Sequence, residues 1–228
     1  MKLDILSDPV CPWCYIGKAL LDRALTERPD HPFDIEWHPF QLNPDMEAGG
    51  RDRAAHLAEK LGGPDRAAEI QAQIDARAAE AGLTIDWAAI TVTPNTLDAH
   101  RLIHWAGLDG RQGMVVDRLF AAYFRQGRDI GDPDVLADIA EDAGMDRAMV
   151  ARLLATDADA ESIRARDAHA RDRGVTGVPT FIVGERQAVP GAQPAELWLD
   201  VIAEITGQGA PQPGTVTGDA PGANGPTQ

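Results

Sequence analysis

The chain has 228 residues, a formal net charge of -15 and 44% hydrophobic residues. That length accommodates one domain with a large insertion or two small ones, with enough apolar side chains for a core that needs no disulfide staples. The acidic balance argues against nucleic acid and anionic membrane as partners, since both require basic surface.

The first element is a short apolar strand, Leu3-Asp4-Ile5-Leu6. Shortly after it stands Cys11-Pro12-Trp13-Cys14, which contains the only two cysteines in the chain. Beyond the motif, Ile16, Leu20, Leu21, Ala24 and Leu25 recur at helical spacing, so the motif opens an amphipathic helix. Unpaired backbone N–H groups and the positive end of the helix dipole at such a start favour a thiolate at Cys11. Cys14 follows one turn later on the same face, near enough to close a disulfide after local adjustment. One acidified and one resolving thiol are the minimum equipment for thiol–disulfide exchange. The plainer readings are a zinc half-site or an inert core pair, and a zinc site lacks a second Cys or His pair at compatible spacing.

A second strand follows the helix: Phe33, Ile35 and Trp37 alternate with Asp34, Glu36 and His38, giving a β-α-β opening. From Arg51 to Arg173 the pattern turns helical, with predicted helices at Ala54–Leu61, Asp65–Ala81, Asn95–Trp105, Met114–Gln126, Pro133–Ala143, Arg147–Ala155 and Ala158–Asp172. Gly62-Gly63-Pro64 and Gly131-Asp132-Pro133 are stop-and-restart signals, with Asp132 the expected N-cap before Pro133. Strand character returns at Thr180–Val183. Gly184-Glu185-Arg186 then turns into a second short strand at Gln187–Val189, and Pro194–Ile205 forms a last helix. Gly207–Gln228, poor in core-forming residues, is expected to be a disordered tail.

The implied organisation is discontinuous: a sheet domain from residues 1–50 plus 174–206, a helical insertion over 51–173, and the tail. Strand chemistry by residue 3 leaves no room for a signal segment, and no stretch reaches transmembrane length. The expected location is the cytoplasm, where a lone cysteine pair is more readily catalytic than structural.

Val178-Pro179 immediately precedes the third strand. Proline there is tolerated at a strand start or special turn, and is the residue for which a cis bond is accessible. This completes an ordered set: Ser7 to Gly17 around the cysteines, Pro39-Phe40-Gln41-Leu42-Asn43-Pro44, Asn95 to Arg101, Gly174 to Phe181, and Gly191-Ala192-Gln193-Pro194. Over about residues 1–206 the chain resembles the DsbA-like branch of the thioredoxin superfamily, and within it the FrnE-type cytoplasmic oxidoreductases.

The resemblance implies an α/β fold, a thioredoxin-like fold with a large all-helical insertion. It implies a disulfide oxidoreductase or isomerase in which Cys11 attacks and Cys14 resolves. Pro12 and Trp13 would tune the pair, and Val178 and Pro179 would form the loop that receives substrate as an added strand. It further suggests that Asn95 faces a substrate cleft, although Asn95 reads equally as a helix N-cap. Trp13, between the cysteines at a helix start, is expected to be exposed as a substrate contact.

Where periplasmic relatives carry histidine this chain has Trp13, and Asp8 stands three residues before Cys11. Both features point to the lower half of the roughly -270 to -120 mV range of such proteins. No tightly bound cofactor and no metal is expected. Glutathione or another thiol is the expected redox partner, and a protein or small-molecule disulfide or thiol the substrate. A homodimer is left open. His100 and His104 lack the glutamate of a metalloprotease motif, and His31, His56 and His169 read as solvent-facing. The alternative function is a glutathione-dependent kappa-type transferase or 2-hydroxychromene-2-carboxylate-type isomerase. Those relatives place serine at the Cys11 position and lack the second cysteine.

Overall fold

In the computed structural model, which describes residues 1–207, the elements run β1 (Lys2–Ser7), α1 (Pro12–Glu27), β2 (Asp34–Pro39), β3 (Arg51–Asp52), α2 (Arg53–Leu61) and α3 (Pro64–Glu80). Next come β4 (Val92–Thr93), α4 (Leu97–Leu108), α5 (Gln112–Phe120), a π-helical turn (Ala121–Arg125), α6 (Pro133–Asp142), α7 (Arg147–Leu154) and α8 (Ala160–Asp172). β5 (Thr180–Val183), β6 (Gln187–Pro190) and α9 (Ala195–Thr206) close the described chain. Apart from Gly207, the predicted tail lies outside the described residues.

Four strands form one sheet in the order β2-β1-β5-β6. β1 and β2 pair in parallel across the α1 crossover, with Ile5 opposite Trp37, and β5 joins β1 antiparallel, with Ile5 opposite Phe181. Both ends of the described chain therefore build the sheet, and the chain has a DsbA-like thioredoxin fold of mixed sheet and many helices.

Successive strand residues face opposite ways. Leu3, Ile5 and Phe181 pack in the cluster that includes Leu21, Ala24, Trp198 and Ile202 of α1 and α9. Leu6 on the other face packs with Phe40, Ile182 and Ala170 of α8. The first cluster continues through Leu102, Leu119, Phe124 and Leu136, so sheet and helical region share apolar contacts.

Helix starts follow local chemistry. Asp132 caps α6 by accepting from the Asp134 N–H, with Pro133 in the first turn, and Asp52 and Asp146 cap α2 and α7. α3 begins at Pro64 after Gly62 and Gly63, both at positive φ.

Three expectations change. The predicted Asn95 helix starts at Leu97, because Asn95 turns its Oδ1 onto the Leu97 N–H at 2.9 Å. The insertion is not all-helical: β3 and β4 pair antiparallel, Arg51 opposite Thr93. The Met114–Gln126 helix ends in a π turn, which directs Tyr123 and Phe124 into the core. There Phe124 stacks on Tyr15 at 5.2 Å.

Candidate active site: a buried dithiol where five segments meet

Cys11 is the N-cap of α1, in extended conformation, with Pro12 in the first turn behind it. Its carbonyl accepts from the Cys14 and Tyr15 N–H groups at 3.1 and 3.2 Å, and its own N–H donates to the Asp8 carbonyl at 2.9 Å. Strand, tight turn and helix start thus present both sulfurs from the first turn. Both thiols are free and buried, Cys11 at 3% and Cys14 at 1% exposure. Burial, then the adjoining Cys11 thiol, pushes the Cys14 thiol well above its ordinary pKa.

The Cys11 thiol donates to the Val178 carbonyl at 3.6 Å, and the Val178–Pro179 peptide is cis. The loop can approach because α1 carries Gly17 beneath it. A Cβ there would stand 3.0 Å from Pro179 Cγ and 3.4 Å from Ala192 Cα.

Asp8 draws in two further segments. Fully buried, it accepts from the Leu42 N–H at 2.7 Å and the Val10 N–H at 3.4 Å, and from the Thr96 side chain. His100 Nε2 lies 3.8 Å from its Oδ1 and has no hydrogen-bond partner among the described residues. Burial raises Asp8 from 3.8 to about 6 and lowers His100 from 6.5 to about 4. The carboxyl and the imidazole are therefore both driven toward their neutral forms. The loop after β2 is also clamped from α8: Asp167 accepts from the Gln41 N–H at 2.7 Å, and Arg171 bonds both Asp167 and the Gln41 carbonyl. The five segments singled out in the sequence converge on this place.

Several individual expectations come out differently. Trp13 is half-buried rather than exposed, packed on a cluster with Ile16, Leu20, Ile74 and Ala78, because α3 docks on α1 over it. Asn95 spends both ends of its amide on the protein, donating to the Met46 carbonyl at 2.6 Å besides accepting from Leu97. His56 is half-buried, with Nε2 enclosed and unpartnered among the described residues. His100 and His104 do not share a site: the first faces Asp8, while the second meets Arg166 at 3.4 Å.

Asp4, Glu36 and His38 place potential ligand atoms within 4.8 Å of one another. A cation already serves them: Arg166 bonds His38 Nδ1 at 2.9 Å and lies 3.6 Å from Glu36, and His38 Nε2 meets Asp4 at 3.0 Å.

Beside Val10 and Pro12 a cavity of about 190 Å³ opens under α2 and α3, reaching Tyr123 and Phe124 of the π turn. Arg53, His56 and Lys60 also line it. Sequence patterning gave no signal for these residues, since α2 contains no buried residue and its inner face becomes visible only against α3.

Comparison with known proteins agrees with this architecture. A probable DsbA oxidoreductase of Streptomyces coelicolor superposes with a TM-score of 0.81 at 30% identity, covering 95% of this chain and 94% of its own. A 2-hydroxychromene-2-carboxylate isomerase shares the fold at 18% identity, with a TM-score of 0.69 and coverage of 91% and 97%. The uncharacterized protein YwbO of Bacillus subtilis (strain 168) is 28% identical over 205 residues, 90% of this chain and 96% of that protein. Residues 2–203 match the DSBA-like thioredoxin domain, and the chain belongs to that family.

Proposed function

We propose that the protein is a thiol–disulfide oxidoreductase or isomerase of the FrnE-type branch, working through Cys11 and Cys14. The observation that carries this reading is the pair of free thiols in the first turn of α1, with Cys11 against the Val178 carbonyl. In the reductive direction the Cys11 thiolate attacks a substrate disulfide, forming a mixed disulfide and expelling one substrate thiolate. Cys14, kept as a thiol by burial, loses its proton and attacks the Cys11 sulfur. The second substrate thiol leaves, two electrons have passed to the substrate, and the protein holds a Cys11–Cys14 disulfide. An external thiol such as glutathione restores the dithiol; the reverse sequence oxidises a substrate dithiol.

Pro12 and Trp13 set the environment of the pair, and Val178 and Pro179 form the substrate-facing loop. Residues 1–50 with 174–206 constitute the thioredoxin-like domain, and 51–173 its insertion. A cytoplasmic location suits a catalytic rather than structural cysteine pair. The glutathione-dependent transferase or isomerase reading is weaker, because a one-nucleophile enzyme has no use for Cys14.

The test is trapping. Cys14→Ser, exposed to disulfide substrate, should accumulate a mixed disulfide at Cys11 detectable by intact mass, while Cys11→Ser should accumulate none and lose exchange. Exchange that persists in Cys11→Ser would overturn the assignment.

A further inference from the structure

The cavity beside the cysteines carries a charge pattern at odds with the rest of the chain. The protein has 36 acidic residues against 21 lysines and arginines. Yet among the described residues no aspartate or glutamate lines this cavity, whereas Arg53, His56 and Lys60 do. Neither Arg53 nor Lys60 has a carboxylate partner within 4.0 Å among the described residues. Arg53 lies over the Trp87 ring at 4.5 Å, and Lys60 meets the Leu42 carbonyl and the Asn43 side chain. Asp75, on α3 nearby, is turned onto the Trp87 indole N–H at 2.6 Å. His56 Nε2 is enclosed and has no partner among the described residues.

The remaining wall is mostly apolar, with Leu57, Ile70, Ile74 and Phe124 in it, and Asn43, Gln71 and Thr93 supply its neutral polar groups. At about 190 Å³ the space falls below the roughly 300–1,000 Å³ of sites for drug-sized ligands and near the ~150 Å³ cavity that takes up benzene. A tripeptide such as glutathione is too large and too polar to be housed there. One ring or a short branched chain is the body that fits, and the two cations without a carboxylate partner call for an anion on it. Val10 and Pro12, the chain neighbours of Cys11 on either side, both line the cavity.

We propose that this cavity selects the substrate: a small disulfide whose half-molecule is a single ring or branched apolar body bearing a carboxylate, held by Arg53 and Lys60 with its sulfur toward Cys11. The inference rests on the dithiol reading above. In the reaction the Cys11–sulfur bond forms as the substrate S–S bond breaks. Cys14 then displaces the bound half as a thiolate, so the protein is oxidised and the disulfide reduced to two thiols.

Two measurements keep the cavity and the redox reading separable. In a Cys11→Ser/Cys14→Ser variant, which has no thiol chemistry, 2-nitrobenzoate and its neutral counterpart nitrobenzene are titrated by tryptophan fluorescence and calorimetry. Saturable binding of 2-nitrobenzoate is expected, weakened about tenfold or more by adding Arg53→Gln and Lys60→Gln, with nitrobenzene changed less than twofold. Ala67→Leu, which narrows the cavity and leaves both cations in place, should weaken both probes.

In the second measurement the reduced wild-type chain reacts in single turnover with 5,5′-dithiobis(2-nitrobenzoate) and with uncharged 4,4′-dithiodipyridine. The rate ratio should fall about tenfold in Arg53→Gln/Lys60→Gln. Absent saturable binding of 2-nitrobenzoate, or binding and rate ratio indifferent to the two cations, overturns the cavity assignment. Binding without exchange toward either disulfide overturns the redox reading beneath it.

Discussion

Asp8 and His100 give a prediction whose sign can be worked out before any measurement. Both are buried, and burial disfavours the charged form of each: Asp8 rises from 3.8 to about 6, His100 falls from 6.5 to about 4. Between pH 4 and pH 6 the folded chain keeps a proton on Asp8 that the unfolded chain has lost, so this residue adds stability as pH falls. Over pH 4 to 6.5 the unfolded chain gains a proton on the imidazole that the folded chain refuses, so His100 removes stability as pH falls.

At about 1.4 kcal/mol per pKa unit, each shift is worth roughly 3 kcal/mol at its limit. From pH 7 to pH 5 the Asp8 contribution grows by about 1.3 kcal/mol and the His100 contribution falls by about 2 kcal/mol, so the two nearly offset in the wild type. Asp8→Asn removes the first only. Its stability deficit against wild type should widen by about 1.3 kcal/mol over that range, whereas His100→Gln should gain about 2 kcal/mol on wild type. The assay is urea unfolding of the reduced proteins at pH 5, 6 and 7, read by tryptophan fluorescence with linear extrapolation. If the pair were instead an internal ion pair, His100→Gln would lose rather than gain on wild type as pH falls. A reversed His100→Gln profile, or profiles parallel to wild type, would refute the argument that burial disfavours both charged forms.

Further expectations rest on packing. Gly17→Ala, in an ordinary helix a gain of up to about 1 kcal/mol, should here cost about 1–3 kcal/mol, because the new methyl meets Pro179 Cγ at 3.0 Å and Phe181 Cζ at 3.4 Å. A stabilised variant in urea unfolding would refute the close approach. Arg101, 2% exposed, donates to the Leu153, Thr156 and Ala158 carbonyls. Arg101→Lys cannot span all three and should lose about 3 kcal/mol, and a loss under about 0.5 kcal/mol would contradict that role. Trp198 is fully buried against Phe181 at 4.7 Å, with its indole N–H unpartnered among the described residues. Trp198→Ala should cost about 3–5 kcal/mol. Trp198→Phe should cost under about 2 kcal/mol, since it also removes the unmet donor. A Trp198→Phe loss clearly above about 2 kcal/mol, by thermal or urea unfolding, would show that the indole N–H is satisfied.

The sequence was informative where the physics is local. Alternating Phe33, Ile35 and Trp37, the Asp132 cap and the Thr180–Val183 run each act over a few residues, and each reappears as an element or cap. The dithiol was legible because strand, cysteine motif and helix start are contiguous. What went unread depends on surfaces meeting across long stretches of chain. Trp13 is covered because Ile74 and Ala78 of α3 land on α1. Arg51–Asp52 and Val92–Thr93 pair over four residues with no alternation to read. The π turn differs from an α-helix by i→i+5 hydrogen bonding, a shift of one residue that the apolar pattern around Tyr123 and Phe124 does not announce. Arg53 and Lys60 look like ordinary surface cations until α2 is seen roofing the cavity beside Pro12.

The most direct test of the central claim is the redox equilibrium of the purified chain across glutathione buffers, quenched by alkylation and read by intact mass. A dithiol catalyst predicts one cooperative two-electron transition, with a disulfide between Cys11 and Cys14 and only a minor glutathione adduct. A pair that will not oxidise, or a stable single glutathione adduct across the range, would contradict it.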